Sequence, residues 1–149
     1  MKKEVTVKVT GYQTGDDGQK DTNEEIFEAN YYLKDGIHFL ITKDNAGVEG
    51  NPETKNNPES PTQRYRFDHR FLEVIKNSDV NAKLYFEAGK INETVYNTPY
   101  GRLNLTFETK QVMLSEEPDL IKVAVNYIIR NGKEIISTNK TVITVCERE

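Results

Sequence analysis

The chain has 149 residues, with 20 Lys plus Arg against 24 Asp plus Glu and a formal net charge of −4, which reads as one mildly acidic domain over residues 1–149. A chain of this length buries roughly 68 to 70% of its unfolded surface, enough for a core without metal or disulfide support. The interspersed charges lack the basic stripe that draws a protein to nucleic acid. No apolar run approaches the roughly 18 residues of a membrane-spanning helix, and the single Cys146 excludes an internal disulfide or a multi-cysteine metal site.

Met1-Lys2-Lys3-Glu4 leads straight into alternating residues with no apolar leader core. The expectation is a soluble, cytoplasmic protein with neither nucleic acid nor membrane as partner. The first element is Val5 to Thr10, which alternates apolar and polar residues at the period of a half-buried strand. After the turn residues Gly15 to Gly18, the stretch Glu25 to Lys34 places Phe27, Ala29, Tyr31 and Leu33 on one face. Asp35-Gly36 then predicts a two-residue type I′ hairpin, because that turn needs positive φ at both central positions. Its register sets Leu33 opposite His38 and Tyr31 opposite Leu40.

From Lys43 to Pro61 the pattern gives way to Asn, Glu, Thr, Gly and three prolines. This polar loop of about 19 residues is longer than the roughly 12 to 15 at which structureless connections become uncommon. Its composition reads either as an insertion or as a binding loop. Strands resume at Thr62 to Phe67 and at Phe71 to Lys76, separated by Asp68-His69-Arg70. Val80 to Glu87 and Ile91 to Asn97 follow, and Thr98-Pro99-Tyr100-Gly101 suits a type I turn before Leu103, Leu105 and Phe107.

The last hairpin has two readings. A two-residue loop at Asn131-Gly132 sets Lys140 and Thr138 beside Val123 and Val125. A three-residue loop instead gathers Ile121, Val123, Val125, Tyr127, Ile129, Ile135, Ile143 and Val145 on one face and leaves Cys146 outside. The second is preferred because it buries the apolar set. With five alanines, eight leucines and no helical stripe, about eight to ten short strands make an all-β antiparallel meander, and closure into an up-and-down barrel removes its edges.

The segments Arg66-Phe67-Asp68, Leu72 to Lys76, Asp79-Val80-Asn81, Leu84 to Lys90 and, above all, Thr94-Val95-Tyr96-Asn97-Thr98-Pro99-Tyr100-Gly101 with Leu103, Leu105 and Thr109 carry a resemblance. They are similar to the YwiB-like family of uncharacterised bacterial proteins. The resemblance covers most of the chain and implies a calycin-like, lipocalin-shaped β-barrel, without implying an activity. Lys43 to Pro61 departs from it, since a shorter connection is implied there.

Several residues are candidates for function. His38 shares a face with Tyr31 and Leu40, where it serves either as a hydrogen-bonded residue near a barrel mouth or as a ligand contact. Tyr96 and Tyr100 flank the Thr-Pro turn and either pack it or line the mouth. Arg64 and Arg66 alternate with Tyr65 and Phe67, so the simpler register puts them on a polar outer face, while the opposite register makes an anion site with Arg70. His69 is expected in a solvated turn, and with two histidines on different hairpins no metal or cofactor is implied. Asp16-Asp17 and Glu116-Glu117-Asp119 read as solubilising groups, without the spacing of a calcium loop. No nucleophile elbow, catalytic triad or phosphate loop is present, so an enzyme is not expected. Two functions remain: a barrel binding a small amphipathic or anionic molecule at a mouth of Tyr31, His38, Arg64, Arg66, Tyr96 and Tyr100, or a protein-interaction scaffold.

Overall fold

The period-two patterning becomes strands throughout. The computed structural model describes residues 3–15, 17–42, 62–77, 82–98 and 101–147. Among these residues it has ten strands: β1 (Glu4–Gly15), β2 (Lys20–Lys34), β3 (Ile37–Thr42), β4 (Thr62–Phe67), β5 (Phe71–Asn77), β6 (Ala82–Glu87), β7 (Ile91–Thr98), β8 (Gly101–Glu116), β9 (Leu120–Asn131) and β10 (Glu134–Glu147). The order across the sheet is β6-β5-β4-β3-β2-β1-β10-β9-β8-β7. This is a nearly closed antiparallel barrel of the calycin type, as the sequence led us to expect. The expected long loop, residues 43–61, lies outside the described residues.

Two local devices set which residues face inward. At the β2–β3 turn Asp35 has φ 54° and Gly36 φ 79°, the positive values of a type I′ turn, and Leu33 and Tyr31 sit opposite His38 and Leu40 as expected. In β8 the ladder passes from Thr109 opposite Tyr127 to Gln111 opposite Asn126, so Lys110 is an extra residue. That bulge switches the inward set from Leu105, Phe107 and Thr109 to Val112 and Leu114.

The β9–β10 hairpin reaches the expected face by a different route. Asn131 pairs with Glu134 across a two-residue Gly132-Lys133 loop, and Ile136 is then an extra residue between the Ile135 and Ser137 pairings. The bulge restores the parity that joins Val123 to Ile143 and Ile121 to Val145 on the inner face. Ile135, which precedes it, is left 43% exposed.

The core runs round the inside of the barrel. Val5 and Val7 of β1, Val123 and Val125 of β9, and Ile143 and Val145 of β10 are fully buried, and each such side chain contributes about 1.5 to 3 kcal/mol by leaving water. Outward positions carry Lys8, Glu24, Arg64, Lys122 and Lys140, where a membrane-spanning barrel would present an apolar band. Among the described residues no helix is long and apolar enough to cross a membrane.

Strands β6 and β7 are consecutive, yet they occupy the two margins of the sheet. Their turn bridges the seam: the Gly89 N–H donates to the Thr109 carbonyl and the Thr109 N–H to the Lys90 carbonyl, both at 3.0 Å. Inside, the Phe86 ring lies 4.5 Å from Tyr127 and 5.8 Å from Phe107 between centroids, so aromatic contact replaces the missing ladder. The Thr109 hydroxyl at this seam is buried without a hydrogen-bond partner among the described residues. An unsatisfied buried hydroxyl costs about 1 to 3 kcal/mol. Thr109→Val is therefore expected to raise unfolding stability by about 1 kcal/mol or more in urea titration; an unchanged or lower midpoint would mean that the hydroxyl is satisfied in solution.

Candidate functional site

The two ends of the barrel differ in chemistry. At one end, which carries the β2–β3, β4–β5, β6–β7 and β8–β9 turns, His38 is 2% exposed. The Glu116 carboxylate, an acceptor only, faces His38 Nε2 at 3.6 Å. In the neutral ring that places the proton on Nε2 and leaves Nδ1 to accept from the Tyr31 hydroxyl at 2.7 Å. The Phe67 ring stacks on the imidazole with centroids 5.1 Å apart. Burial lowers the His38 pKa below the ordinary histidine value, outweighing the Glu116 carboxylate that favours the charged form. Burial, then the Glu116 charge, raises the Tyr31 phenol.

Glu116 also faces His69 Nε2 at 3.4 Å. The β4–β5 turn presents His69 because the Asp68 carboxylate accepts the Arg70 and Phe71 backbone N–H groups at 2.7 and 3.3 Å, a local turn typical of aspartate. Glu116 therefore corrects the sequence expectation of a solubilising group. It is the last residue of β8, and the bulge at Lys110 brings it onto the inner parity of Val112 and Leu114. The two histidines, assigned to separate hairpins, meet through it. Among the described residues no group of three or more His, Cys, Asp and Glu side chains is placed to hold a metal ion.

The arginines lie elsewhere. Tyr65 and Phe67 are buried at 2% and 0% exposure, so Arg64 and Arg66 take the outer face and the opposite register, with its anion site, does not occur. Arg66 grips Glu73 through Nε and Nη2, each at 3.2 Å. Tyr96 lies in β7 with its backbone opposite Leu103, and Tyr100 lies outside the described residues. The structure thus joins Tyr31 and His38, separates both from Arg64 and Arg66, and makes the joined pair a packed clasp.

At the other end, where residues 43–61 connect β3 to β4, the interior holds a cavity of about 250 Å³. Its walls are apolar: Val9, Leu72, Val74, Leu84, Phe86 and Ile143. The Tyr65 hydroxyl donates to Gln63 Oε1, whose amide nitrogen donates to Glu25 Oε1 at 3.2 Å. Tyr127 and Thr141 share a hydrogen bond of 3.2 Å. Burial raises both phenols above the ordinary tyrosine value, Tyr65 strongly and with help from the Glu25 charge. The rim carries Gln13, Asn23, Glu25, Lys76 and Asn139. Gly11 also lines the space, and a Cβ there would sit 2.7 Å from the Asn23 side-chain oxygen.

None of Tyr31, His38, Arg64 and Arg66 is among the side chains lining this cavity. The residues that do line it went unselected from sequence, although Lys76 continuing the inward series Leu72 and Val74, and Glu25 preceding Phe27, were visible signals. A wider hollow of about 720 Å³ lies on the outer face between Lys8, Lys122 and Lys140. Its floor is small residues, Thr10, Ala124, Val142 and Thr144, so a small molecule there would keep one side in water.

Fold and interior define the class as a calycin-like antiparallel barrel with a clasped end and a cavity at the other. Residues 7–143 match the family described as a domain of unknown function, DUF1934, and the chain belongs to that family. The crystal structure of the ywiB protein from Bacillus subtilis is similar at a TM-score of 0.77 and 16% identity, over 99% of this chain and 93% of that one; this likeness concerns the fold. No curated protein matches the chain.

The clasp makes stability depend on pH. His38 binds its proton less readily folded than unfolded, so below the unfolded value near 6.5 the unfolded state takes up the proton first and stability falls as pH falls. Urea midpoints should drop between about pH 7.5 and 5.5, and His38→Gln should flatten that slope. An equal slope in the variant would show that His38 is not the titrating group.

Proposed function

We propose that this chain is a non-enzymatic cytoplasmic binding protein that holds a small amphipathic or anionic molecule at the cavity end of its barrel. The observation that carries this reading is the 250 Å³ cavity, whose walls are apolar and whose rim bears amides and charges. Binding sites combine an apolar surface with a few placed polar groups in this way. The volume lies just under the roughly 300 to 1,000 Å³ of drug-sized sites, so the ligand is correspondingly small. The described lining consists of aliphatic and aromatic side chains, amides, hydroxyls, lysines and one carboxylate, a set suited to holding a molecule rather than to nucleophilic chemistry.

Native mass spectrometry of freshly purified protein tests it. The expected result is a non-covalent small-molecule adduct on the native chain that Gly11→Leu, which fills the cavity, removes. Gly11 has no positive φ, and the nearest obstacle is the free end of Asn23, so the variant is expected to fold. An adduct that persists in the variant, or co-purifying protein in place of any adduct, would favour the scaffold reading.

A further inference from the structure

We infer that the cavity ligand is a small monocarboxylate, with an aliphatic or aromatic body seated inward and its carboxylate on Lys76 at the rim. This rests on the cavity-binding reading above and specifies its chemistry.

The inner part of the cavity offers little to a polar group. Its surface is Val9, Leu72, Val74, Leu84, Phe86 and Ile143, and its two phenols are already engaged, Tyr65 with Gln63 and Tyr127 with Thr141. A polar atom carried that far would lose its water and find these hydroxyls committed, at a cost of about 1 to 3 kcal/mol or more. The inward part of the ligand is therefore apolar.

The rim is different. Glu25 accepts from Gln63, and Asn139 donates to Ser137 at 2.9 Å. Lys76, Gln13 and Asn23 have no polar partner among the described residues, and all three line the cavity. Lys76 projects from the inner face of β5, following Leu72 and Val74, with its backbone opposite Gln63 on β4. The Gln63 amide thus stands between the lysine and Glu25. An ammonium without an anion gains from one, and a charge-assisted hydrogen bond is roughly twice as strong as a neutral one.

Lys140 borders the cavity from the outer parity of Val142 and Thr144, so Lys76 is the inward cation of the described rim, and the Glu25 carboxylate there already accepts from Gln63. A cationic head would meet the Lys76 ammonium there and find the Glu25 carboxylate already engaged. A single inward ammonium flanked by neutral amides matches one carboxylate, whereas a phosphate dianion calls for the bidentate guanidinium groups that this barrel holds on its outer face, at Arg64 and Arg66.

Titration calorimetry with three probes of one shape tests the assignment: 3-phenylpropionate, 3-phenylpropanol and 3-phenylpropylamine, each with the native chain, Lys76→Met, Lys76→Arg and Gly11→Leu. The native chain should bind the carboxylate about tenfold or more tighter than the alcohol, and the amine weakest. Lys76→Met should erase the preference while the alcohol still binds, Lys76→Arg should restore it, and Gly11→Leu should weaken all three. If alcohol and carboxylate bind the native chain equally and Gly11→Leu abolishes both, the cavity reading stands and the carboxylate assignment falls. If the preference survives in Lys76→Met, the assignment to Lys76 falls. If no probe binds the native chain, or Gly11→Leu changes nothing, the cavity reading falls and the inference with it.

Discussion

The pairing of the first strand with the last is the constraint on which the rest of this structure depends. Every other ladder joins strands that follow one another in sequence, and such a meander would remain an open sheet with two long edges. The contact of β1 with β10, from Val5 opposite Glu147 to Gly15 opposite Ser137, brings the ends of the chain together. Val5 and Val7 of β1 and Ile143 and Val145 of β10 then join Val123 and Val125 of the neighbouring β9 on one inner face. Circular closure also fixes where the barrel is weakest. With nine ladders formed among the described residues, the remaining junction falls between β6 and β7, where backbone hydrogen bonds of Gly89 and Thr109 and the Phe86, Phe107 and Tyr127 rings bridge the gap.

Closure produces an interior whose ends have opposite characters. At the clasp end the inward polar groups satisfy one another: Tyr31, His38, Glu116 and His69 form a continuous chain, and Phe67 covers the imidazole. Tyr31 and His38 are the buried members of this network, while Glu116 and His69 are 44% and 74% exposed, so the imidazole is committed to partners on both sides and leaves little for a ligand. At the cavity end the walls remain apolar and the rim keeps uncommitted donors in Lys76, Gln13 and Asn23. Partnered groups hold the fold together, while unpartnered groups beside empty volume are available for binding. The low apolar content of the chain follows from the same geometry, because a strand of a small barrel buries only alternate residues.

Much of the architecture was legible because it is written at period two. The Asp35-Gly36 hairpin, its register, and the inner set around Val123 and Ile143 all follow from alternation and turn chemistry. The site was less legible. Tyr31 and His38 do meet, but the third member of their cluster, Glu116, is displaced in parity by a bulge at Lys110, and nothing in the residue pattern around Thr109 announces that extra residue. The same holds for Ile136, where a bulge does the work that a three-residue loop was expected to do. Arg64 and Arg66 follow from alternation with Tyr65 and Phe67 once the inner face is known. The cavity residues need one further step: polar residues that keep inner parity toward one end, such as Glu25 before Phe27 and Lys76 after Val74, mark where the barrel interior meets solvent.

The proposed binding places small molecules at the Lys76 end of the barrel and not at the His38 end. Backbone amide shifts in a ¹⁵N-labelled sample titrated with 3-phenylpropionate test it most directly. Progressive shifts are expected at Gly11, Gln13, Lys76 and Thr141, with Tyr31, His38 and Glu116 unmoved. Shifts confined to Tyr31, His38 and Glu116, or to Lys8, Lys122 and Thr144 on the outer face, would contradict it.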